Sequence, residues 1–200
     1  MSRIITVSRQ FGSGGRELGR RLAEELKIEY YDKEIVTEIA EHTALSEDYV
    51  KEIIECTPHN LYPITVGHSF AYLESPAFQN TQSVYKAQKE IILSLAEKSD
   101  CVIVGRCADF ILRDKDPYKI FVYADIESRM ARCRSRSTKA EEYDDKALKK
   151  MINKIDKNRR SYYEFYTGNK WDDISNYNMC INTTDTDIKG FVSVIAKMFK

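Results

Sequence analysis

The stretch VSRQFGSGGRELG, residues 7–19, ties a strand to a helix through a glycine-rich turn, and no other feature restricts the fold as much. Before it lies the β-branched run Ile4-Ile5-Thr6-Val7, which reads as a buried parallel strand ending at Val7. After it, Leu18, Leu22 and Leu26 recur at helical spacing in a segment that begins near Gly15 and ends near Lys27. Gly12, Gly14 and Gly15 let the backbone bend inward, so that the first N–H groups of the helix converge where a phosphate can sit. The usual phosphate-binding loop reads G-x-x-x-x-G-K-[ST]. Here Gln10 replaces the first glycine, Arg16 the lysine and Glu17 the hydroxyl residue, with Phe11 and Ser13 between. Arg16 keeps the positive charge and adds a two-pronged donor. Glu17 offers a carboxylate that can ligate magnesium, hold a metal-bound water, or favour the helix N-terminus.

Two other registers compete. Gly14 to Gly19-Arg20 has the right spacing but lies inside the helix. Gly12-x-Gly14 with Asp32 downstream resembles a dinucleotide fingerprint, which needs a small residue where Glu17 stands. Both are rejected, which leaves a phosphate loop spanning Gln10 to Glu17 or a glycine turn without a ligand.

A length of 200 residues at 42% hydrophobic fits one globular domain. Basic and acidic residues number 31 each, so the zero net charge argues against a general nucleic-acid or membrane-surface binder. No apolar run approaches the roughly 18 residues that span a bilayer, and the N-terminus lacks the apolar stretch of a signal peptide. Cys56, Cys101, Cys107, Cys133 and Cys180 form no C-x-x-C pair, which points to reduced thiols in the cytoplasm. His42, His59 and His68 match neither a catalytic triad nor metal spacing.

Further along, 28–31 reads as a short strand, and 33–42 and 46–56 as helices. Residues 57–80, with Pro58, Pro63, Gly67 and Pro76, read as loop and irregular lobe. A helix over 81–98 leads into the strand Cys101-Val102-Ile103-Val104, and 119–124 forms another strand. Helices over 126–137 and 143–166, a strand over 177–182 and a helix over 187–199 complete an α/β chain with a mainly parallel sheet.

Arg106 emerges directly after the strongest strand, at the edge where open α/β sheets bind ligands. Arg129, Arg132, Arg134 and Arg136 crowd one helical stretch, and Arg159 and Arg160 precede a run of aromatic residues in which Arg160 can pair with Glu164. With these constellations in view, "IITVSRQFGSGGRELGRRLAEEL…YYD" and "CVIVGRCADFILRDKDPYKIFVYADIESRMARCR" resemble the cytidylate kinase-like family of nucleoside monophosphate kinases. The resemblance implies a three-layer P-loop NTPase fold over residues 1–200. Within it, a mainly five-stranded parallel sheet carries an acceptor-binding insert over 33–85 and an arginine-bearing helical lid over 126–166. It also implies ATP and Mg²⁺ as cofactors, small nucleotides as partners, and transfer of a phosphoryl group to CMP or dCMP.

By resemblance, Arg16, Arg129 and Arg160 surround the transferring group, Arg106 holds the acceptor phosphate, and Asp32 and Lys33 line the acceptor side. Glu164 stands for the lid aspartate that reads the base. Glu17, Glu38 and Thr167 favour a regulatory nucleotide-binding module, and Cys107, Glu38 and Thr167 a different small acceptor. Cys107 replaces an aspartate, Lys33 and Glu38 replace a serine and an arginine, and Thr167 replaces the last lid arginine, with Lys170 one turn later.

Overall fold

The computed structural model describes residues 3–55, 76–136 and 143–199. The glycine-rich turn sits between β1 (Ile4–Arg9) and α1 (Gly15–Leu26), so the strand runs two residues beyond Val7. Pairing with β4 (Tyr118–Tyr123) explains the extension, because Ser8 lies opposite Phe121 and Arg9 opposite Val122. β2 (Glu29–Tyr31) follows, then α2 (Glu34–Thr43) and α3 (Glu47–Glu55).

Residues 57–75 of the segment expected to be irregular lie outside the described residues, as do Cys56, His59 and His68. Its last five residues, 76–80, are helical instead. α4 spans Pro76–Lys98, and proline suits the first turn of a helix, where its missing N–H costs nothing. β3 (Cys101–Val104) leads into a short α5 (Ala108–Ile111) that the sequence pattern did not suggest. α6 (Ile126–Arg136), α7 (Asp145–Thr167), β5 (Met179–Asn182) and α8 (Ile188–Lys197) complete the described chain.

All strand pairings are parallel, in the order β2-β3-β1-β4-β5. Successive residues of each apolar run point to opposite faces of the sheet. Ile5, Val7, Val102, Val104, Ile120 and Val122 pack with α1 and α8, whereas Ile4, Cys101, Ile103 and Phe121 meet α2 to α5, Tyr162, Tyr163 and Trp171. That produces three layers. The chain leaves β1 toward one sheet edge and β3 toward the other, so the crevice for ligands opens at the carboxyl ends of this central pair. A third cluster lies above it, where Leu148 and Ile152 of α7 pack against Phe11 of the loop and Met130 and Cys133 of α6. Among the described residues, no helix is long and apolar enough to cross a membrane.

Candidate active site

The loop from Gln10 to Glu17 is held from outside by backbone hydrogen bonds. Gln10 N–H donates to Val122 O at 3.0 Å, and its side-chain carbonyl accepts from Ala124 N–H at 3.2 Å. Ser13 is fully buried, its hydroxyl donates to Gln10 O, and its own carbonyl accepts from Thr183 Oγ1 at 2.7 Å. Gly14 caps α1 in the left-handed conformation (φ 84°), and a Cβ there would overlap Ile188. No side chain caps this helix. The first-turn N–H groups, which have no partners within the helix by construction, are therefore open to water or a ligand.

Phe11 is anchored at both backbone atoms. Its N–H donates to Asp156 Oδ1 at 2.7 Å, and its carbonyl accepts from Arg129 Nε at 2.7 Å. Arg129 and Asp156 also form a buried ion pair. Arg129 thus sits behind the loop as a strut between α6 and α7, and its guanidinium does not reach over the crevice. Leu148, Ile152 and Asp156 recur every four residues on α7, so a charge on an apolar stripe was the signal that marked Asp156.

Arg16 is half exposed, with Nε 2.5 Å from Asp32 Oδ2. Asp32 is buried at the end of β2 and also faces Arg9, 3.9 Å away. Arg16, Arg20, Lys33 and Arg136 line a cleft of about 470 Å³ together with Glu17, Asp32 and Glu34. Lys33 is exposed at the start of α2, on the cleft wall.

Glu17 turns away from the metal role expected of it. One carboxylate oxygen accepts from Arg21 Nε at 2.8 Å and the other pairs with Arg136. Burial opposes the charge, yet the Arg21 hydrogen bond and the Arg136 charge hold its pKa below the usual value. Magnesium needs several oxygen ligands in octahedral array. Both Glu17 oxygens are taken, and among the described residues no three His, Cys, Asp or Glu side chains gather to hold a metal ion. The residues as arranged do not fit a protein-held magnesium ion.

On the other side of the crevice, Gly105, Arg106 and Cys107 all adopt left-handed backbone angles (φ 73°, 60° and 52°). Two such non-glycine residues in succession are costly and are sustained by their surroundings. Gln88 of α4 donates to Arg106 O at 3.0 Å, and the Arg9 guanidinium fills the space that a Cβ on Gly105 would need. Arg106 thereby joins Arg9, which sequence reasoning missed, and Arg159 of α7 around a small pocket floored by Ser8 and walled by Trp171. Arg159 also lies 5.4 Å from the Phe11 ring centre.

Arg160 and Glu164 do not pair with each other. The left-handed Gly168 (φ 71°) reverses the chain after α7 and brings Trp171 and Asp172 back against the helix. Arg160 then pairs with Asp172 at 2.7 Å, and Glu164 accepts a 3.4 Å hydrogen bond from Trp171 N–H. Thr167 closes the helix by donating to Tyr163 O and accepting from Asn169 N–H. Cys107, in place of an acidic residue, is buried, and burial pushes its thiol pKa well up.

The backbone is similar to that of an uncharacterized protein from Eubacterium ventriosum ATCC 27560, with TM-score 0.70, 28% identity and 98% of each chain covered. It is also similar to a shikimate kinase from Bacteroides thetaiotaomicron, with TM-score 0.57 over 98% of each chain, where 15% identity limits the likeness to the P-loop kinase fold. In sequence, a cytidylate kinase from Methanococcus maripaludis strain S2 is 33% identical over 105 residues, 51% of this chain and 57% of that protein. One from Methanococcus aeolicus is 31% identical over 103 residues, 52% and 57% respectively. The match thus spans just over half the length of these relatives. The family model described as cytidylate kinase-like matches residues 4–185, and this chain belongs to that family.

Proposed function

We propose that the protein transfers the γ-phosphoryl group of ATP to a nucleoside monophosphate, with CMP or dCMP as the acceptor by family likeness. The observation that carries this reading is the uncapped α1 N-terminus behind a glycine loop, with the half-exposed Arg16 on a cleft lined by four basic and three acidic side chains. Phosphoryl transfer asks the protein for positioning and positive charge more than for covalent chemistry.

In this reading the loop amides and Arg16 hold the donor phosphates. Arg106 receives the acceptor phosphate, and Lys33 lines the approach to it. Arg129 works by positioning, since it fixes the Phe11 peptide and so the curvature of the loop. Arg160 joins the transferring group by exchanging Asp172 for phosphate when the lid closes. Glu164 reads a cytosine amino group after giving up its long bond to Trp171. ATP arrives with Mg²⁺ on its own phosphates. The acceptor insert spans 33–85 and the lid 126–166 within one domain. The four described cysteines are free thiols, which supports a reducing cytoplasmic setting.

One feature favours a second reading, a nucleotide-binding regulatory module or a kinase of another small acceptor. The positions where relatives hold acceptor partners carry Glu38, the buried Cys107 and the tied-off Thr167. Loss of a deciding buried hydrogen bond can cost about 10⁴–10⁵ in discrimination. Incubation with ATP, Mg²⁺ and each nucleoside monophosphate, with diphosphate formation followed, separates the two. We expect measurable turnover of CMP and dCMP. ATP binding without turnover of any monophosphate would overturn the proposal in favour of the second reading.

A further inference from the structure

We propose that Gln88 is a positioning residue for Arg106: its side-chain amide holds the left-handed turn after β3, joins that turn to α7, and so aims the Arg106 guanidinium at the acceptor. The inference deepens the kinase reading and rests on it for the role of Arg106. The state of the turn itself can be read without any ligand.

Within the turn, Ala108 N–H donates to Gly105 O at 3.1 Å, and Ile111 N–H donates to Cys107 O at 2.9 Å. Arg106 O, between these two acceptors, takes its hydrogen bond from Gln88 Nε2 of α4, 18 positions earlier in the chain. A backbone carbonyl shut away from water needs a donor. Left-handed angles at Arg106 and Cys107 in succession need outside support as well. The one bond from Gln88 meets both needs.

Gln88 is fully buried, which is uncommon for an amide and calls for partners at both its ends. Its Oε1 accepts from Tyr162 O–H of α7 at 3.3 Å. Turning the amide over would set its carbonyl oxygen against Arg106 O, so the group is held one way round. One turn earlier on α4, the Tyr85 ring stacks on Tyr166 of α7, with centres 3.8 Å apart and planes 8° from parallel. Gln88 therefore sits at the joint of α4, α7 and the turn.

Arg106 depends on this joint. Among the described residues its Nε is buried with no hydrogen-bond partner, unlike the Nε of Arg129, which is fixed on Phe11 O. The direction of the Arg106 side chain thus follows the φ angle of the turn, and a change there swings it away from the acceptor. Methionine at 88 keeps the volume but offers no donor, and glutamate keeps the shape but loses the donor when ionised.

In the unliganded chain, the amide-to-Hα coupling constants of Arg106 and Cys107 report their φ angles. The parent and Y162F are expected to keep left-handed values, and Q88M to lose them. Steady-state kinetics with ATP, Mg²⁺ and CMP form the second measurement. Q88M is expected to raise the KM for CMP about tenfold, with the KM for ATP within about twofold of the parent. Y162F, which leaves the bond to Arg106 O in place, raises it less.

Q88E should match the parent at low pH, where the buried carboxyl is protonated and donates, and approach Q88M at high pH. A packing role alone gives no such profile, and Q88E also covers the case in which Q88M fails to fold. In an R106A background, Q88M should lower kcat/KM for CMP no further, because the group it positions is gone. Unchanged coupling constants in Q88M, equal KM for CMP in Q88M and parent, or an undiminished Q88M effect in R106A would each overturn the proposal. A parent that turns over no monophosphate fails the kinase reading instead, and the coupling constants alone then decide for or against the Gln88 joint.

Discussion

Arg16 and Arg129 are both arginines near the same loop, yet their surroundings give them opposite tasks. The Arg16 side chain is 51% exposed and meets Asp32 at the cleft wall, free to turn toward an incoming phosphate. Arg129 is buried, committed to Phe11 O and Asp156, and acts only through the loop it supports. The R16A variant is therefore expected to bind ATP about tenfold to a hundredfold more weakly, the worth of one charge-assisted hydrogen bond. R16K loses less, because the charge survives although the fork does not. Calorimetry on the three proteins checks this, and equal affinities would remove Arg16 from the donor site.

At the scale of elements, α6 and α7 are tied to the loop by two devices. One is the seam of Asp156, Arg129 and Phe11 described above. The other is Glu17, which clasps Arg21 on its own helix and Arg136 at the end of α6. Because the Glu17 pKa is lowered from 4.5, its pairing stabilises the fold fully above that pH and is lost as pH falls below it. E17Q is expected to cost about 1 kcal/mol at neutral pH, a modest figure because Arg136 is half exposed. The gap between variant and parent should close in acid, as denaturant melts between pH 7 and pH 3 would record. The magnesium concentration for half-maximal turnover should not move. A shift would return Glu17 to the metal.

The whole molecule is a parallel sheet covered on both faces, and that layout orders its stability from the centre outward. β1 has paired neighbours on both sides in β3 and β4, whereas β2 and β5 are edge strands. Amide exchange should thus be slowest in Ile5 to Val7 and Val102 to Val104, opening only with global unfolding, and faster in Glu29 to Tyr31 and Met179 to Asn182. Exchange mass spectrometry on the intact chain tests this. Edge strands as protected as β1 would mean that cooperativity extends over the entire sheet.

Contiguous apolar runs and helical apolar spacing by themselves determined the strands and most helix positions, because a strand buried on both faces and a helix buried on one leave different local patterns. The glycine loop and Arg16 were equally legible, being a contiguous strand–turn–helix signal. α4 reaches back to Pro76 because a proline read as a breaker is also a good first residue of a helix. The burial of Arg129, the clasp on Glu17, the turn of Arg160 to Asp172 and the gathering of Arg9 with Arg106 were decided only by the tertiary structure. Phe11 meets Asp156 across 145 positions and Arg129 across 118. A guanidinium has the same composition whether it is a strut or a ligand. Only the packing of elements distant in sequence sets which carboxylate reaches it first.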